Sequence, residues 1–463
     1  MDVLIVLGAL VFLMVMAYRG YSVILFSPIA AMGAVLLVDP TAVAPAFNEI
    51  FMEKMAGFLK LYFPAFLLGA IFGKFIELSG FSKSIVNAIL KIMGAEKAIL
   101  AIVIVCAVLT YGGVSLFVVV FAVYPFAAEM FRQGNIPKRL IPGAIALGGV
   151  SFTMDALPGT PQIQNIIPTP FFNTTAWAAP CLGIAGSIII FFAGMAYLEW
   201  ARRKAASRNE GYGQNHLNEP ETISSKVLPS PWLALTPLAL VGVTNFLLTS
   251  FIPIWYGRFY SLGLPGLVSP VQAEIDKLTA VWAVEGAMLI GIVFVLVTGF
   301  RDIYGRLASA SKAAAEGAVL AAVNTASQYG FGAVIASLPG FLIVADALKG
   351  ITDPLFNAAV MVTSLSGITG SASGGMSIAL AAMSDSFILA AQNNGISLEV
   401  LHRVVAMASG GMDTLPHNGV IITLLAVTGL THRQSYKDIL VITVIKTLAA
   451  AAVIVIYHLT GLV

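Results

Sequence analysis

The sequence predicts an all-α polytopic membrane protein built from two inverted repeats, with re-entrant hairpins and broken helices. Composition gives the first reason: of 463 residues, 58% are hydrophobic and 10% are charged, whereas soluble domains carry about 25% charged residues. The mean hydropathy is +0.91. Apolar runs long enough to span a bilayer, about 20 residues each, recur along the chain, for example at 3–18, 21–38 and 176–198. The other two reasons are a set of repeated motifs and the distribution of basic residues.

One hydrophilic stretch divides the chain. Residues from about Arg202 to Pro229 are rich in Arg, Asn, Glu, Ser and Gly, a composition typical of a flexible linker. We therefore predict a first membrane repeat at 1–199, a cytoplasmic linker at 200–230 and a second, inverted membrane repeat at 231–463. The first apolar run has no basic flank and no small-residue cleavage site, so it is interpreted as a retained span and not as a signal peptide.

Three motifs occur once in each half and keep their order. They are a Met-Asp-x-Leu-Pro motif (154–158 and 412–416), a Gly-Gly-x-Ser motif (112–115 and 374–377) and a Phe-Gly run (72–81 and 331–341). Three ordered pairs are unlikely to arise by coincidence, so they predict an internal repeat.

Loop charge indicates that the two repeats are antiparallel. If Arg19 is cytoplasmic, the basic clusters at 83–97, 132–139 and 202–208 are cytoplasmic as well, provided that residues 98–131 enter and leave the membrane on the same side. In the second half the same rule places one set of basic residues inside: Arg301, Arg306, Lys312, Arg433 and Lys437. It places the remaining loop charges outside: Asp346, Asp353, Glu399, Lys349 and Arg403. Both termini are then predicted to lie outside.

Segment length supports a hairpin in each half. A helix over residues 98–111 would be roughly 21 Å long, which is short of the roughly 30 Å hydrocarbon core, and Gly112-Gly113 follows it. Residues 355–391 repeat this plan, with a break in the Ser-, Gly- and Thr-rich run at 366–375. Non-helical backbone at membrane depth is tolerated only where protein or a wet cavity surrounds it.

These breaks predict a central site for a small, singly charged anion. Free N–H groups at the start of a half-helix, near Ser115 and Ser377, attract a carboxylate, and no Arg or Lys lies at the tips themselves. The predicted substrate-binding residues occupy the two tips and the two Met-Asp-x-Leu-Pro breaks: Gly112, Gly113, Ser115, Thr153, Asp155, Thr160, Gln164, Asn165, Thr369, Ser371, Ser373, Gly374, Asp413, Thr414, His417 and Asn418.

Two interpretations of the acidic residues stay open. A carboxylate at the centre of a spanning helix costs roughly 2.5–3.5 kcal/mol on insertion scales, so Asp155 and Asp413 are candidates to carry a coupling proton, together with His417. Alternatively, each aspartate caps the helix that follows it, with a proline preset for the first turn. His417 can equally be a structural histidine.

The sequence carries no enzyme signature. No Cys/His metal spacing, nucleophile elbow or phosphate-binding loop occurs, so no enzyme activity, cofactor or metal is predicted. Cys106 and Cys181 lie in apolar segments and are interpreted as structural. The net charge of +2 gives no indication of nucleic-acid binding.

Four segments resemble the gluconate permease (GntP) family of bacterial organic-anion:proton symporters: Gly69–Gly80, Thr110–Val118, Ser151–Pro158 and Gly370–Gly374. The resemblance implies the ion-transporter-superfamily fold, with a transport domain that moves by an elevator mechanism against a scaffold that forms a homodimer. It also implies a location in the bacterial cytoplasmic (inner) membrane, where the termini that loop charge places outside would be periplasmic. The implied partners are a small organic anion, a coupling proton and the lipid bilayer.

One departure from that family bears on the substrate. The first broken helix of the sugar-acid branch contains two histidines, whereas this chain has Thr153-Met-Asp-Ala-Leu-Pro-Gly-Thr-Pro-Gln162. The sequence is therefore more similar to the branch for short hydroxy acids, and 3-hydroxybutyrate is the first expectation, with a gluconate-like sugar acid second. A sodium-coupled symporter, whose hydroxyl-rich tips would suit a hard cation, and a non-transporting anion sensor are the alternatives.

Overall fold

The computed structural model of the chain describes residues 2–19, 21–114, 116–214, 217–219, 228–266, 269–341, 343, 350–416 and 418–463. Two predicted site residues, Ser115 and His417, lie outside the described residues. The protein is predominantly helical, and the described strands form a single two-stranded sheet.

The helices of the first half extend to Ala206. In chain order they are α1 (Asp2–Tyr18), α2 (Val23–Val38), α3 (Val43–Pro45), α4 (Glu53–Leu78), α5 (Phe81–Met93), α6 (Ala98–Tyr111), α7 (Leu116–Gln133), α8 (Ile141–Gly149), α9 (Phe152–Asp155), α10 (Ile163–Ile166), α11 (Thr169–Phe172) and α12 (Pro180–Ala206). Short 3₁₀ turns lie at Pro40–Ala42, Ala95–Lys97 and Lys138–Leu140, and a π-helical turn lies at Ala46–Met52.

The second half begins at Pro231. Its helices are α13 (Pro231–Tyr256), α14 (Ile275–Thr298), α15 (Phe300–Ile303), α16 (Leu307–Ser337), α17 (Pro354–Thr369), α18 (Ala372–Asn393), α19 (Leu398–Ser409), α20 (Gly419–Thr428) and α21 (His432–Thr460), with a 3₁₀ turn at Tyr304–Arg306. Strands β1 (Phe259–Leu262) and β2 (Val271–Glu274) pair antiparallel between α13 and α14, with Phe259 opposite Glu274.

Helix boundaries follow local capping chemistry. Asp353 accepts a hydrogen bond from the N–H of Phe356 and caps α17, and Pro354 occupies the first position of that helix. A capping box between Thr431 and Gln434 begins α21. These caps satisfy N–H groups that would otherwise be unpaired at helix ends.

Seven helices within the described ranges are long and apolar enough to cross a membrane. They are Pro40–Leu78, Pro180–Ala206, Pro231–Tyr256, Ile275–Thr298, Phe300–Ser337, Ala372–Asn393 and His432–Thr460. Together with the shorter apolar helices, such as Ala98–Tyr111 and Pro354–Thr369, they make this a multi-pass membrane protein.

The packing of the helices groups them into two bundles, each of which contains helices from both halves of the chain. In the first bundle, α4 packs on α14 and α16, and α16 packs on α2. In the second bundle, α6 and α7 form a helical pair that packs on α8, while α17 and α18 form a pair that packs on α19. Helices α12 and α21 pack on each other within the second bundle, and α16 packs on α18 between the bundles.

The described part of the linker is attached to the second bundle. Lys138 is almost fully buried, and its Nζ donates to Glu219 Oε1 at 2.8 Å and to the carbonyl oxygen of Leu217 at 2.9 Å. The Tyr124 hydroxyl donates to the carbonyl oxygen of Asn218 at 2.7 Å, and Asn218 Nδ2 donates to the carbonyl oxygen of Ala426 at 2.8 Å. This segment therefore contacts helices from both halves of the chain.

We expect Lys138→Met to loosen this attachment. The change removes the ion pair between Lys138 and Glu219. A partly exposed ion pair contributes about 1 kcal/mol to the free energy of attachment, so protease cleavage between residues 205 and 230 should accelerate about fivefold. Limited proteolysis of the protein in membranes measures the rate. The exposed Lys97→Met is the control, and equal cleavage of the two variants would contradict the attachment.

A second contact gives the attachment a pH dependence. Arg139 donates to Glu210 Oε1 at 2.6 Å and to Asp438 Oδ2 at 2.8 Å, and the hydrogen bond from Arg139 lowers the pKa of Glu210. A lowered pKa means that the pair stabilises the folded state above the ordinary glutamate pKa, about 4.3, and that this stability is lost as the pH falls through the lowered value. Cleavage of the linker should therefore be constant from pH 7 to 5 and rise below about pH 4.

Candidate functional site

The first broken segment lies between α8 and α12, where the chain forms three one-turn helices instead of a continuous span. Its polar side chains hold the irregular backbone. Thr153 Oγ1 donates to the carbonyl oxygen of Gly148 at 2.8 Å, and Thr160 Oγ1 donates to that of Thr153 at 2.9 Å. Asn165 Nδ2 donates to the carbonyl oxygens of Thr160 and Ala176 at 3.0 and 2.8 Å. Three predicted site residues, Thr153, Thr160 and Asn165, thus satisfy backbone groups that a membrane interior leaves without water.

Arg403, from α19 in the second half, completes this support. Its side chain is 0% exposed, and its guanidinium donates to the carbonyl oxygens of Asp155 (3.2 Å), Ala178 (2.7 Å) and Ala176 (3.5 Å) and to Asn165 Oδ1 (2.9 Å). Arg403 was counted among the loop charges of the outer side, but it lies within α19 and its side chain is buried in the protein. The planar guanidinium suits such a set of converging acceptors, so the second half of the chain fixes the break in the first.

The second broken segment lies between α19 and α20. Asn418 Oδ1 accepts hydrogen bonds from the N–H groups of Val420 (2.6 Å) and Ile421 (3.1 Å) and so caps α20. Its Nδ2 donates to the carbonyl oxygens of Asp413 and Gly370, both at 2.8 Å. Asn418, and not Asp413, is therefore the residue that begins the next helix, and it also joins this break to the loop between α17 and α18.

Asp413 forms a buried ion pair instead. Lys446 Nζ, on α21, lies 2.7 Å from Asp413 Oδ1 and also donates to the carbonyl oxygen of Val150 at 2.8 Å. The lysine side chain is 2% exposed, so both charges are removed from solvent and compensate each other. Because Val150 directly precedes the first broken segment, the pair links the two breaks. Thr414 Oγ1 lies 2.6 Å from Thr443 Oγ1 on the same helix as Lys446.

Asp155, the equivalent acid of the first half, is in a different environment. It is 3% exposed, and no ion pair to its carboxyl group exists among the residues that the structure describes. Oδ2 lies against Gly410, where a Cβ atom would overlap it. The charges of Lys446, Asp413 and Arg403 are near enough to act on it. The two copies of the repeated motif are therefore chemically unequal.

Each hairpin tip is tied to the break in its own half. At the first tip, Gly113 has φ +90°, which favours glycine. Gln162 Nε2 donates to the carbonyl oxygen of Thr110 at 2.7 Å, and the Tyr111 hydroxyl donates to that of Pro158 at 2.9 Å. At the second tip the corresponding link is the bond from Asn418 to Gly370 described above. Each tip and its break are thereby connected by direct hydrogen bonds.

The hydroxyl groups of the second tip mainly bond to one another and to backbone. Ser371 Oγ accepts from the N–H of Gly374 at 3.1 Å and caps α18. Ser373 Oγ lies 3.4 Å from Ser371 Oγ and 3.4 Å from Thr325 Oγ1 of α16. Thr369 Oγ1 donates to the carbonyl oxygen of Leu365 at 2.9 Å.

Several other buried polar atoms near the tips and breaks have no hydrogen-bond partner among the residues that the structure describes. Near the first tip and break these are Thr110 Oγ1, Gln164 Oε1, Trp177 Nε1 and Asn245 Oδ1, and near the second tip they are Gln328 Oε1, Ser366 Oγ and Ser377 Oγ. Buried polar atoms normally find a partner, so these groups are the ones available to a polar ligand. Gln164 is the only predicted substrate-binding residue in this set of atoms.

The structure thus brings Asp155, Asp413 and the residues around them to one buried region, and it adds two groups that were not predicted as site residues, Arg403 and Lys446. A lone basic residue in an apolar helix was the available signal for Lys446. No group of three or more His, Cys, Asp or Glu side chains within the described ranges could hold a metal ion.

The fold and its buried, charged breaks define a class of protein, the multi-pass membrane proteins with interrupted helices. No family model matches the chain. A curated relative, the uncharacterized transporter YxjC of Bacillus subtilis (strain 168), is 56% identical over 472 residues and covers 100% of both chains. The chain belongs to the same family as this relative: it is a membrane transporter and not an enzyme.

Two solved transporter structures share the fold at low sequence identity. The YdaH transporter of Alcanivorax borkumensis has a TM-score of 0.50 and 14% identity, with 92% of this chain and 90% of that chain covered. MtrF of Neisseria gonorrhoeae, described as illuminating a class of antimetabolite efflux pumps, has a TM-score of 0.50 and 14% identity, with 90% and 84% covered. At this identity the likeness concerns the fold alone.

Proposed function

We propose that the protein is a secondary active transporter of the GntP type that takes up a small hydroxy-monocarboxylate together with protons. The observation that carries the proposal is the buried cluster at the two breaks, where two cations, Arg403 and Lys446, accompany two acids, Asp155 and Asp413. With both acids ionised this cluster is neutral. A monoanion that enters alone adds an uncompensated charge, whereas a proton that enters with it restores the balance.

The polar atoms near the tips support an anionic, hydroxylated substrate. The hydroxyl groups of Thr110, Ser366 and Ser377 are buried and have no partner within the described part of the chain, so they can donate to a carboxylate. Gln164 and Gln328 each have a side-chain oxygen for which the described ranges provide no partner, and this oxygen can accept a hydrogen bond from a substrate hydroxyl. We favour 3-hydroxybutyrate, which has one carboxylate and one hydroxyl, over a gluconate-like sugar acid, which needs more hydrogen-bonding groups.

The division into two bundles supports elevator-type alternating access between two inverted repeats. The hydrogen bonds from each tip to its break join the groups that would have to move together, and these groups lie in the second bundle. The first bundle, with α4 and α16 at its centre, would be the scaffold and the homodimer contact. The protein would lie in the bacterial inner membrane with periplasmic termini, and α6–α7 and α17–α18 would be the re-entrant hairpins.

Sodium-coupled symport is the second candidate. It is favoured by the oxygen-rich second tip, where Thr369, Ser371 and Ser373 lie close together, because hard cations prefer such ligands. A membrane anion sensor, which would bind the substrate without moving it, is the third.

Counterflow into proteoliposomes tests the proposal. We expect unlabelled 3-hydroxybutyrate inside to drive uptake of labelled 3-hydroxybutyrate, with lactate and gluconate competing less well and citrate not at all. An imposed pH gradient without sodium should drive accumulation above equilibrium. Exchange of gluconate alone would contradict the substrate assignment, a strict sodium requirement would favour the second candidate, and binding without flux would favour the sensor.

A further inference from the structure

The two aspartates of the repeated motif can be separated by what surrounds their carboxyl groups. Asp413 is held by Lys446 at 2.7 Å, and the ammonium group makes a second bond to the carbonyl oxygen of Val150. Protonation of Asp413 would leave the buried lysine charge without its counter-ion, which is strongly unfavourable. The ion pair therefore keeps Asp413 ionised.

Asp155 has no such restraint. Arg403 donates to the backbone carbonyl oxygen of Asp155 and not to its carboxyl group, and its remaining bonds to Ala176, Ala178 and Asn165 hold it there. Burial disfavours the ionised form of a carboxyl group that has no cation against it. The two protonation states of Asp155 are thus closer in free energy than those of Asp413.

The charges that face Asp155 come from three elements. They are Lys446 on α21, Asp413 in the second break and Arg403 on α19. Two cations favour the ionised carboxylate, while one anion and burial favour the neutral acid. A substrate carboxylate that arrives among these groups adds a second anion, so it shifts the balance towards the protonated acid. Binding of an anion and uptake of a proton are coupled by this arrangement.

Gly410 gives the carboxyl group the space it occupies. A Cβ atom at this position would overlap Asp155 Oδ2, and the next atom outside Asp155 is the carbonyl oxygen of Met407 at 3.6 Å. The backbone of Gly410 has φ −76° and ψ −6°, which any residue can adopt. The absence of a side chain at residue 410 therefore serves the position of Asp155 and not a backbone turn.

We propose that Asp155 carries the coupling proton in a space that Gly410 keeps open, while Asp413 remains ionised as the permanent counter-ion of Lys446. The inference rests on the proposed proton-coupled transport. The proton adds to one Asp155 oxygen when the site faces the side of higher proton concentration and returns to water on the other side. The neutral pair of substrate anion and proton crosses together, and no bond of the substrate changes.

Asp155→Asn tests the role directly, because asparagine resembles the protonated acid in shape and charge. We expect this variant to retain measurable exchange of labelled 3-hydroxybutyrate in counterflow, at a reduced rate, while its accumulation driven by a pH gradient falls to the equilibrium value. Retained exchange shows that the variant is folded and binds substrate. Accumulation at the wild-type level would overturn the assignment of the proton to Asp155.

Gly410→Ala tests the same space without changing a charge. Its added methyl group must displace the Asp155 carboxyl group, so accumulation should fall more than exchange does. Gly419→Ala is the matched control, because nothing lies within 4 Å of a Cβ atom at Gly419. Equal behaviour of the two alanine variants would overturn the role of Gly410.

The double variant Asp413→Asn/Lys446→Met distinguishes the two acids. We expect the double variant to alter the rate of exchange and the level of accumulation by the same factor, because the Asp413–Lys446 pair does not release a proton in the proposed cycle. Loss of accumulation with exchange retained would assign the proton to the pair and overturn the inference. If the wild-type protein exchanges substrate but does not accumulate it under a pH gradient, the proposed proton-coupled function is wrong. If both the wild type and Asp155→Asn accumulate substrate, the proposed function holds and only the assignment of the proton to Asp155 is wrong.

Discussion

Lys446→Met is expected to destabilise the folded protein by about 3–5 kcal/mol, because it leaves the buried carboxylate of Asp413 without its cation. Methionine fills a similar volume, so packing is largely kept and the cost is electrostatic. The carbonyl oxygen of Val150 also loses its donor. Thermal unfolding of the detergent-purified protein measures the effect as a lower unfolding temperature and a smaller folded fraction.

Two further variants give this prediction its control. Lys437→Met removes an exposed lysine from the same helix and should leave the unfolding temperature nearly unchanged. Asp413→Asn combined with Lys446→Met removes both charges and should recover most of the lost stability, since replacing a complete buried pair is often close to neutral. If Lys446→Met unfolds like Lys437→Met, the ion pair does not contribute to stability.

Local sequence chemistry located the interruptions of the chain. The helix predicted over 98–111 is observed as Ala98–Tyr111, and the predicted break at 366–375 contains the observed turn between Thr369 and Ala372. Both features depend on neighbouring residues only: a short apolar segment, followed by glycine and hydroxyl side chains that cannot continue a helix. The β1–β2 hairpin was not predicted, because each of its strands is only four residues long and largely exposed, too short for a periodic pattern to be distinguished from a loop.

Local sequence chemistry did not predict that Arg403 and Lys446 belong to the site. Arg403 bonds to a carbonyl group 248 residues away in the sequence, and a count of loop charges cannot distinguish a basic residue at a helix end from one that points into the protein. Lys446 also has no acidic partner nearby in the sequence: Asp413 lies 33 residues earlier, in the second broken segment. Both pairings depend on tertiary packing, between the two halves for Arg403 and within the second half for Lys446, and a repeated motif does not specify that packing.

The unequal roles of the two motif copies follow from these long-range contacts. The sequence repeats the acid and the proline in both halves, so each aspartate could be either a helix cap or a proton carrier. The structure gives the cap of α20 to Asn418 and the ion pair to Asp413, so one acid is held in place by a cation and the other is not. The two copies thus acquire different chemistry because Lys446, on α21 of the same half, pairs with Asp413, whereas the carboxyl group of Asp155 has no ion-pair partner among the described residues.

Arg403→Met is expected to disrupt the first broken segment although the residue belongs to the other half. The variant removes every hydrogen bond that the guanidinium donates to the carbonyl oxygens of Asp155, Ala176 and Ala178 and to Asn165. Each bond to a charged donor contributes about 1.5–3 kcal/mol, and the contributions are not additive, so a loss of at least about 3 kcal/mol is expected. Counterflow should be abolished, because the carbonyl group of Asp155 loses its support.

Arg403→Lys separates charge from geometry in this prediction. Lysine keeps the positive charge near Asp155 but cannot reproduce the planar set of donors, so its stability and exchange should lie between those of the wild type and Arg403→Met. The exposed Arg433→Met should behave like the wild type in both measurements. If Arg403→Lys has the stability and exchange rate of the wild type, the positive charge alone is needed at this position. If Arg403→Met also has the wild-type values, the second half of the chain does not hold the first broken segment. The expected order, with lysine intermediate, arises only if one side chain fixes several backbone groups of the opposite repeat at once.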